Sequence, residues 1–155
     1  LLTFQGTNRI LVNKQFAFLH QGESLTALDR IPYVALQSEK RQLLSKQEKI
    51  AKQLKSRKND QALKAQYAEI GTRVKEITAK LPRFFKWKIQ CEHPIGFAMG
   101  GNTLYVGGNG IVMAYNASDG KKQWSAKVMG KGYGLAISNG RLLVSTDGGH
   151  IHCFK

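Results

Sequence analysis

His150 and His152 stand two residues apart in the C-terminal stretch HIHCFK. On a strand their imidazoles would face one side, as two metal ligands do. No third ligand lies nearby in sequence, so a polar strand face is the plainer reading and a metal site the sharper one. Outside the charged central segment the only acids are Glu23, Asp29, Glu92, Asp119 and Asp147. Asp119-Gly120 and Asp147-Gly148-Gly149 read as turns, not as a carboxylate pair set for acid–base work. Cys91 and Cys153 are too few for a disulfide framework and lack a CxxC or CxxCH pattern, which leaves open a single bridge or two separate buried thiols. The runs GGNG (107–110) and GKGYG (130–134) have the glycine content of phosphate loops but not the strand-to-helix context, and read as turns and linkers. Ser, Cys and His show no spacing for nucleophilic catalysis. No catalytic or cofactor-binding residue is expected from these groups.

The elements that position these residues change character near Pro94. Thirteen of the sixteen glycines lie at residue 96 or later. There the chain reads as short alternating strands broken by turn pairs: IGFAMG, Gly101-Asn102, TLYVGG, Asn109-Gly110, IVMAYNA, Asp119-Gly120, QWSAKV. The pattern restarts with YGLAIS, Asn139-Gly140, RLLVST, Asp147-Gly148-Gly149 and HIHCFK. Gly, Asn and Asp suit the positive φ of tight hairpin turns. Val106 and Val144 are 38 residues apart, and Trp87 and Trp124 are 37 apart. A period near that length holding four strands is what a propeller blade needs. The N-terminus fits the template with LLTFQG as innermost strand, RILVN as the second, a long hairpin through FAFLHQ, and SLTALDR as the third. FFKWKIQ is the fourth, giving eleven strands in all.

Between the third and fourth of these strands lies an insertion. Ala114 and Trp124 are ten positions apart, whereas Ala27 and Trp87, the matching ends of the earlier copy, are sixty apart. Pro32 and Pro82 bracket a stretch rich in Ala, Gln, Glu, Lys and Leu whose only glycine is Gly71. Its second half places Leu63, Tyr67, Ile70, Val74, Ile77 and Leu81 at steps of four and three, a coiled-coil seam. The first half places Leu36, Lys40, Leu43, Gln47, Ile50 and Leu54 at matching steps. Folding about Lys58-Asn59-Asp60 pairs Leu54 with Leu63, Ile50 with Tyr67, Gln47 with Ile70 and Leu43 with Val74. Lys40 then meets Ile77 and Leu36 meets Leu81, so every pair shares one antiparallel register. Each arm is about 33 Å long at 1.5 Å per residue. The expected organisation is therefore 1–31 as the inner three strands of a first blade, 32–82 as an inserted helical hairpin, and 83–94 as the first blade's outer strand. Residues 95–129 form a second blade and 130–155 an incomplete third. The fold class is mainly β with inserted α, about two and three-quarter four-stranded units plus an antiparallel coiled-coil hairpin.

The stretch AYNASDGKKQW resembles the tryptophan-docking motif of quinoprotein-like β-propellers, those with pyrroloquinoline-quinone-like repeats. Ala114, Asn116, Asp119, Gly120 and Trp124 stand at the motif positions, Ala27, Asp29 and Trp87 at those of the interrupted copy, and NTLYVGGNG is similar to the usual lead-in. The resemblance covers 95–155 well, 1–30 and 83–94 loosely, and the hairpin not at all. It implies that the tryptophan stacks between neighbouring blades and locks the outer strands. It also implies an extracytoplasmic, periplasmic bacterial setting. Quinoprotein dehydrogenases of this kind use an axial quinone with calcium, a catalytic Asp and often adjacent cysteines. Asp119, Asp147 and Asp29 are accounted for by turns or by the motif, and there is no Cys-Cys pair. The resemblance thus implies a non-catalytic scaffold or interaction module, with pyrroloquinoline quinone and calcium expected only if a longer parent is a dehydrogenase.

The net charge of +14 is concentrated in one segment, since residues 37–88 hold fifteen Lys or Arg against five acids. This basic hairpin reads as a solvated coiled-coil surface or as an arm for an acidic protein, a helical partner or another polyanion. Aromatic residues for base stacking are missing from it except Tyr67, which the seam uses, and this argues against single-stranded nucleic acid. Lys40 and Gln47 at seam positions suggest a weak pairing finished by another helix. No apolar run is long enough to span a membrane. The chain starts without Met and shows under three blades, so it is expected to be a processed product or a piece of a longer protein, completed by further blades or by other copies.

Overall fold

The computed structural model describes residue 4 and residues 6–93 and 95–155. They form two compact units, one containing Asp29–Phe84 and the other the chain up to Leu28 together with Phe85–Lys155. The protein is mainly β, with ten strands and two long helices among the described residues.

In the β unit, β1 (Thr7–Val12), β2 (Phe16–Gln21), β3 (Ser24–Asp29) and β4 (Phe85–Gln90) form a sheet in the order β1-β2-β3-β4. The last pair closes across the whole helical insertion, with Leu25 opposite Ile89 and Ala27 opposite Trp87. A six-stranded sheet follows, built from β5 (Gly96–Gly100), β6 (Thr103–Gly107), β7 (Asn109–Asn116), β8 (Lys122–Ser138), β9 (Arg141–Thr146) and β10 (Ile151–Phe154). At the β8–β9 turn Asn139 and Gly140 take φ of 50° and 71°, the twist that a two-residue hairpin requires.

Two strand expectations are corrected here. FAFLHQ is not a hairpin loop but β2, with Ala17, Phe18, Leu19 and His20 all buried. A strand covered on both faces shows no alternation, so periodicity alone hides it. Its turn is set by Asn13, whose side-chain oxygen accepts from the N–H groups of Gln15 and Phe16 at 2.9 and 2.6 Å. The expected strand LLTFQG lies mostly outside the described residues, and Phe4 and Gly6 are not in a strand. QWSAKV and YGLAIS, expected as two strands, are one, because Lys131 still pairs with Asn109 of β7 while Gly132 already pairs with Thr146 of β9. The expected boundary at 129/130 falls inside β8. The crossing is tight: a Cβ on Gly96 would come 2.6 Å from the Gly132 carbonyl oxygen, and one on Gly107 would overlap it.

One core lies between the two sheets, where Phe18, Leu25 and Ala27 meet Leu104, Val106, Met113 and Tyr115. A second joins Val112, Val128, Leu142 and Val144, with Trp124 and Phe154 packed against it.

The other unit is helical. Helix α1 spans Arg30–Ser56, α2 spans Gln61–Lys80, and a 3₁₀ turn covers Leu81–Phe84. The helix begins two residues before Pro32, because a proline in the first turn has no intrahelical N–H bond to lose. Asp60 caps α2 by accepting from the Leu63 N–H at 3.1 Å. Glu39 of α1 reaches Arg73 of α2 at 2.8 Å, and the Gln47 side chain donates to the Tyr67 carbonyl at 3.3 Å. Ile77 and Leu81 are buried, whereas α1 contains no buried residue. Neither helix is long and apolar enough to cross a membrane.

Candidate functional site: a docked tryptophan turn and a basic helical arm

The turn that ends β7 organises itself from its own polar groups. The Asn116 carbonyl accepts from the Gly120 N–H at 2.8 Å, and its side-chain oxygen accepts from the Ser118 N–H at 2.8 Å. Asp119 accepts from the Lys121 N–H at 2.9 Å. Gly120 takes φ of 73°, a conformation costly to any residue with a Cβ. Trp87, arriving from β4, lies on this turn. Its Nε1–H donates to the Ala117 carbonyl at 3.0 Å, and a Cβ on Gly120 would stand 2.8 Å from its ring. The indole thus covers the glycine and satisfies its one donor against backbone, joining the two sheets.

Trp124 faces Ala114 across β7 and β8, as Trp87 faces Ala27 across β3 and β4. Its ring lies 6.1 Å from that of Tyr105 and 5.7 Å from that of Phe154. Asp29 stands where the motif calls for a turn residue, yet no tight turn follows it. It is the last residue of β3 and the N-cap position of α1, because the insertion replaces the turn with a helix.

The two histidine rings lie 6.3 Å apart at the start of the last strand. His150 precedes β10, and His152 within it accepts from the Met129 N–H at 3.1 Å through Nε2. Among the described residues no group of three His, Cys, Asp or Glu is placed to hold a metal ion. Asp147 accepts from the Lys131 N–H at 2.7 Å, and Glu92 accepts from Gln90 at 2.8 Å. The acids of the β unit so engaged serve its turns and linkers. Both cysteines are free: Cys91 is buried and Cys153 exposed. Burial pushes the Cys91 thiol and the Tyr115 phenol up from their ordinary values. The Tyr115 hydroxyl lies 3.4 Å from Met113 Sδ and 3.9 Å from Cys91 Sγ, a sulfur-lined resting place and no sign of activation. Sequence reasoning missed this cluster, because Cys91 sits in a linker where no periodicity marks it.

On the hairpin, the residues expected along the seam, Leu36, Leu43, Ile50 and Leu54 of α1 and Leu63, Ile70 and Val74 of α2, are half-buried, while Tyr67 is 40% exposed. Leu43, Ile50 and Ile70 line an open groove of about 480 Å³. Arg73 is held by Glu39 and Glu76 at 2.8 and 3.1 Å. Lys52 bonds Glu48 at 2.8 Å and holds its carboxyl below the usual range.

A family model described as outer membrane protein assembly factor BamB matches residues 56–155. The chain belongs to this quinoprotein-like β-propeller family. The match starts at the last residue of α1, so it takes in α2 as well as β4–β10. No curated protein matches the chain. The crystal structure of BamB from Moraxella catarrhalis is similar at 21% identity, over 46% of this chain and 24% of that one, with a TM-score of 0.40. The chain thus spans about a quarter of that protein's length.

Proposed function

We propose that this chain is a non-catalytic scaffold and protein-interaction module within a larger propeller assembly. In this reading the four-stranded sheet is one blade, β5–β7 with the first part of β8 a second, and the rest of β8 with β9 and β10 an incomplete third. The helical hairpin, paired along a coiled-coil seam, is the arm of the first. The observation that carries the proposal is the Trp87 contact with Ala117 and Gly120, which spends the motif's residues on holding one blade to the next. A catalytic reading would need some of those polar groups free, and the Asn116–Lys121 turn uses them on its own backbone. The remaining blades of a longer protein, or other copies of this chain, are the partners that would cover its open strands. The matching family's description, an outer membrane assembly factor, supports a periplasmic or otherwise extracytoplasmic setting.

Two other readings are separable. If the chain is a piece of a quinone-dependent dehydrogenase, the active site lies outside it, and the longer protein should bind pyrroloquinoline quinone with calcium. Titration of the longer protein with both, followed by quenching of tryptophan fluorescence, is expected to show no saturable binding. Saturation at micromolar quinone, with reduction of an artificial electron acceptor that depends on an added alcohol or sugar being oxidised, would replace the module reading with the enzyme. Polyanion binding is favoured by the charge of the hairpin alone. It predicts an affinity for duplex DNA or heparin that falls steeply between about 50 and 200 mM salt.

A further inference from the structure

The helical arm is an unfinished bundle. Its seam residues Leu43, Ile50 and Ile70 are half-buried, and they floor the open groove between α1 and α2. Two helices cover each other on one side only, so an apolar seam that stays open is a ready site for a third. The two walls of this groove differ in charge. Lys46 and Lys49 stand on the α1 side, form no ion pair among the described residues, and also line a neighbouring depression beside Arg41. On the α2 side stand Glu69 and Arg73, and Arg73 is already held by Glu39 and Glu76. The unanswered positive charge therefore lies along one edge of the groove.

We infer that this groove takes an amphipathic helix from a different polypeptide, apolar toward Leu43, Ile50 and Ile70 and acidic on the flank that meets Lys46 and Lys49. The inference rests on the reading of the chain as an interaction module and names the partner's chemistry. Charge complementarity selects it. A second copy of the hairpin would bring fourteen Lys or Arg and only six acids in residues 29–84 against the same excess. A nucleic acid or a lipid headgroup would meet the lysines but has nothing to place on the apolar floor. The flank facing Glu69 is expected to be neutral or basic, because an acid there would meet a like charge.

A displayed library of helical peptides tests this, with leucine fixed at seam positions and Glu, Lys, Gln or Ser varied independently on the two flanks. Selection on the full chain is expected to enrich Glu on one flank only. Selection on the Lys46→Glu, Lys49→Glu double variant is expected to turn that same flank to Lys. The floor is checked with Ile50→Ser, which should weaken the recovered peptides by at least about tenfold. The double variant alters only the groove wall, so its flank preference stays readable if the floor variant fails to fold. Equal enrichment of both flanks, an unchanged preference in the double variant, or no enrichment at all would overturn the inference. So would a concentration-dependent dimer lost in Ile50→Ser, which would make the occupant a second copy. None of these results bears on quinone binding, so the module reading stands or falls separately.

Discussion

At the scale of residues, Trp87 does the most with one side chain. It closes the edge of the inter-sheet core, covers a glycine that must stay bare, and satisfies a backbone carbonyl thirty residues away. Trp87→Phe keeps most of the ring but loses the hydrogen bond, and should cost about 1–2 kcal/mol in denaturant unfolding. Gly120→Ala adds a left-handed alanine and a contact at 2.8 Å with the indole, and should cost about 2–4 kcal/mol. If either variant unfolds like the parent, the docking does not hold the sheets. The types and spacing of the expected motif residues were visible in the sequence. What Trp87 docks on was not, since the acceptor is a main-chain carbonyl and carries no side-chain signature. Cys91 and Tyr115 make a second prediction. Burial raises both groups above their ordinary values of 9.0 and 10.0, so the unfolded chain releases these protons at lower pH than the folded one. Their contribution to stability is whole below pH 9 and is lost as pH rises beyond it. Thiol titration at pH 8 should find Cys153 reactive at once and Cys91 only on unfolding.

At the scale of elements, glycines mark where backbones crowd. Gly107→Ala would drive a methyl group into the Gly132 carbonyl where β8 passes from one neighbour to the next, at a cost of about 1–3 kcal/mol or more. Gly71 is the opposite case. It sits mid-helix, and a Cβ there would meet only the flexible end of Gln47, at 3.2 Å. Gly71→Ala should therefore raise the melting temperature, by about 0.5–1 kcal/mol of stability. A fall instead would mean that Gln47 cannot yield and that its bond to the Tyr67 carbonyl sets the pairing of the helices. The hairpin turns were legible from Asn-Gly and Asp-Gly pairs, because positive φ selects few residue types. β2 was not, because burial on both faces erases alternation, and its four buried residues read as a loop that happened to be apolar. The single strand β8 was also hidden, since GKGYG looks like a break until both its neighbours are seen to hold it.

At the scale of the whole molecule, chemistry and charge are separated. The β unit spends its motif residues on turns and on the tryptophan contact, whereas residues 37–88 carry most of the positive charge. Charge location was fully legible in the sequence, and so was the presence of helices in this segment, from helical periodicity between two prolines. Lys40 and Gln47 pointed to an incomplete pairing, but which residues line the open groove was not legible, because periodicity does not show how much of a face two helices leave uncovered. The proposed module would hold a partner through this arm. The most direct measurement is site-specific photo-cross-linking in the cells that make the protein, with the reactive side chain placed at Lys49 and, for comparison, at Lys14 in the turn between β1 and β2. A discrete adduct from Lys49, absent from Lys14 and lost when Lys46 is also changed to Glu, is the predicted result. No adduct from Lys49, or the same adduct from Lys14, would contradict the account.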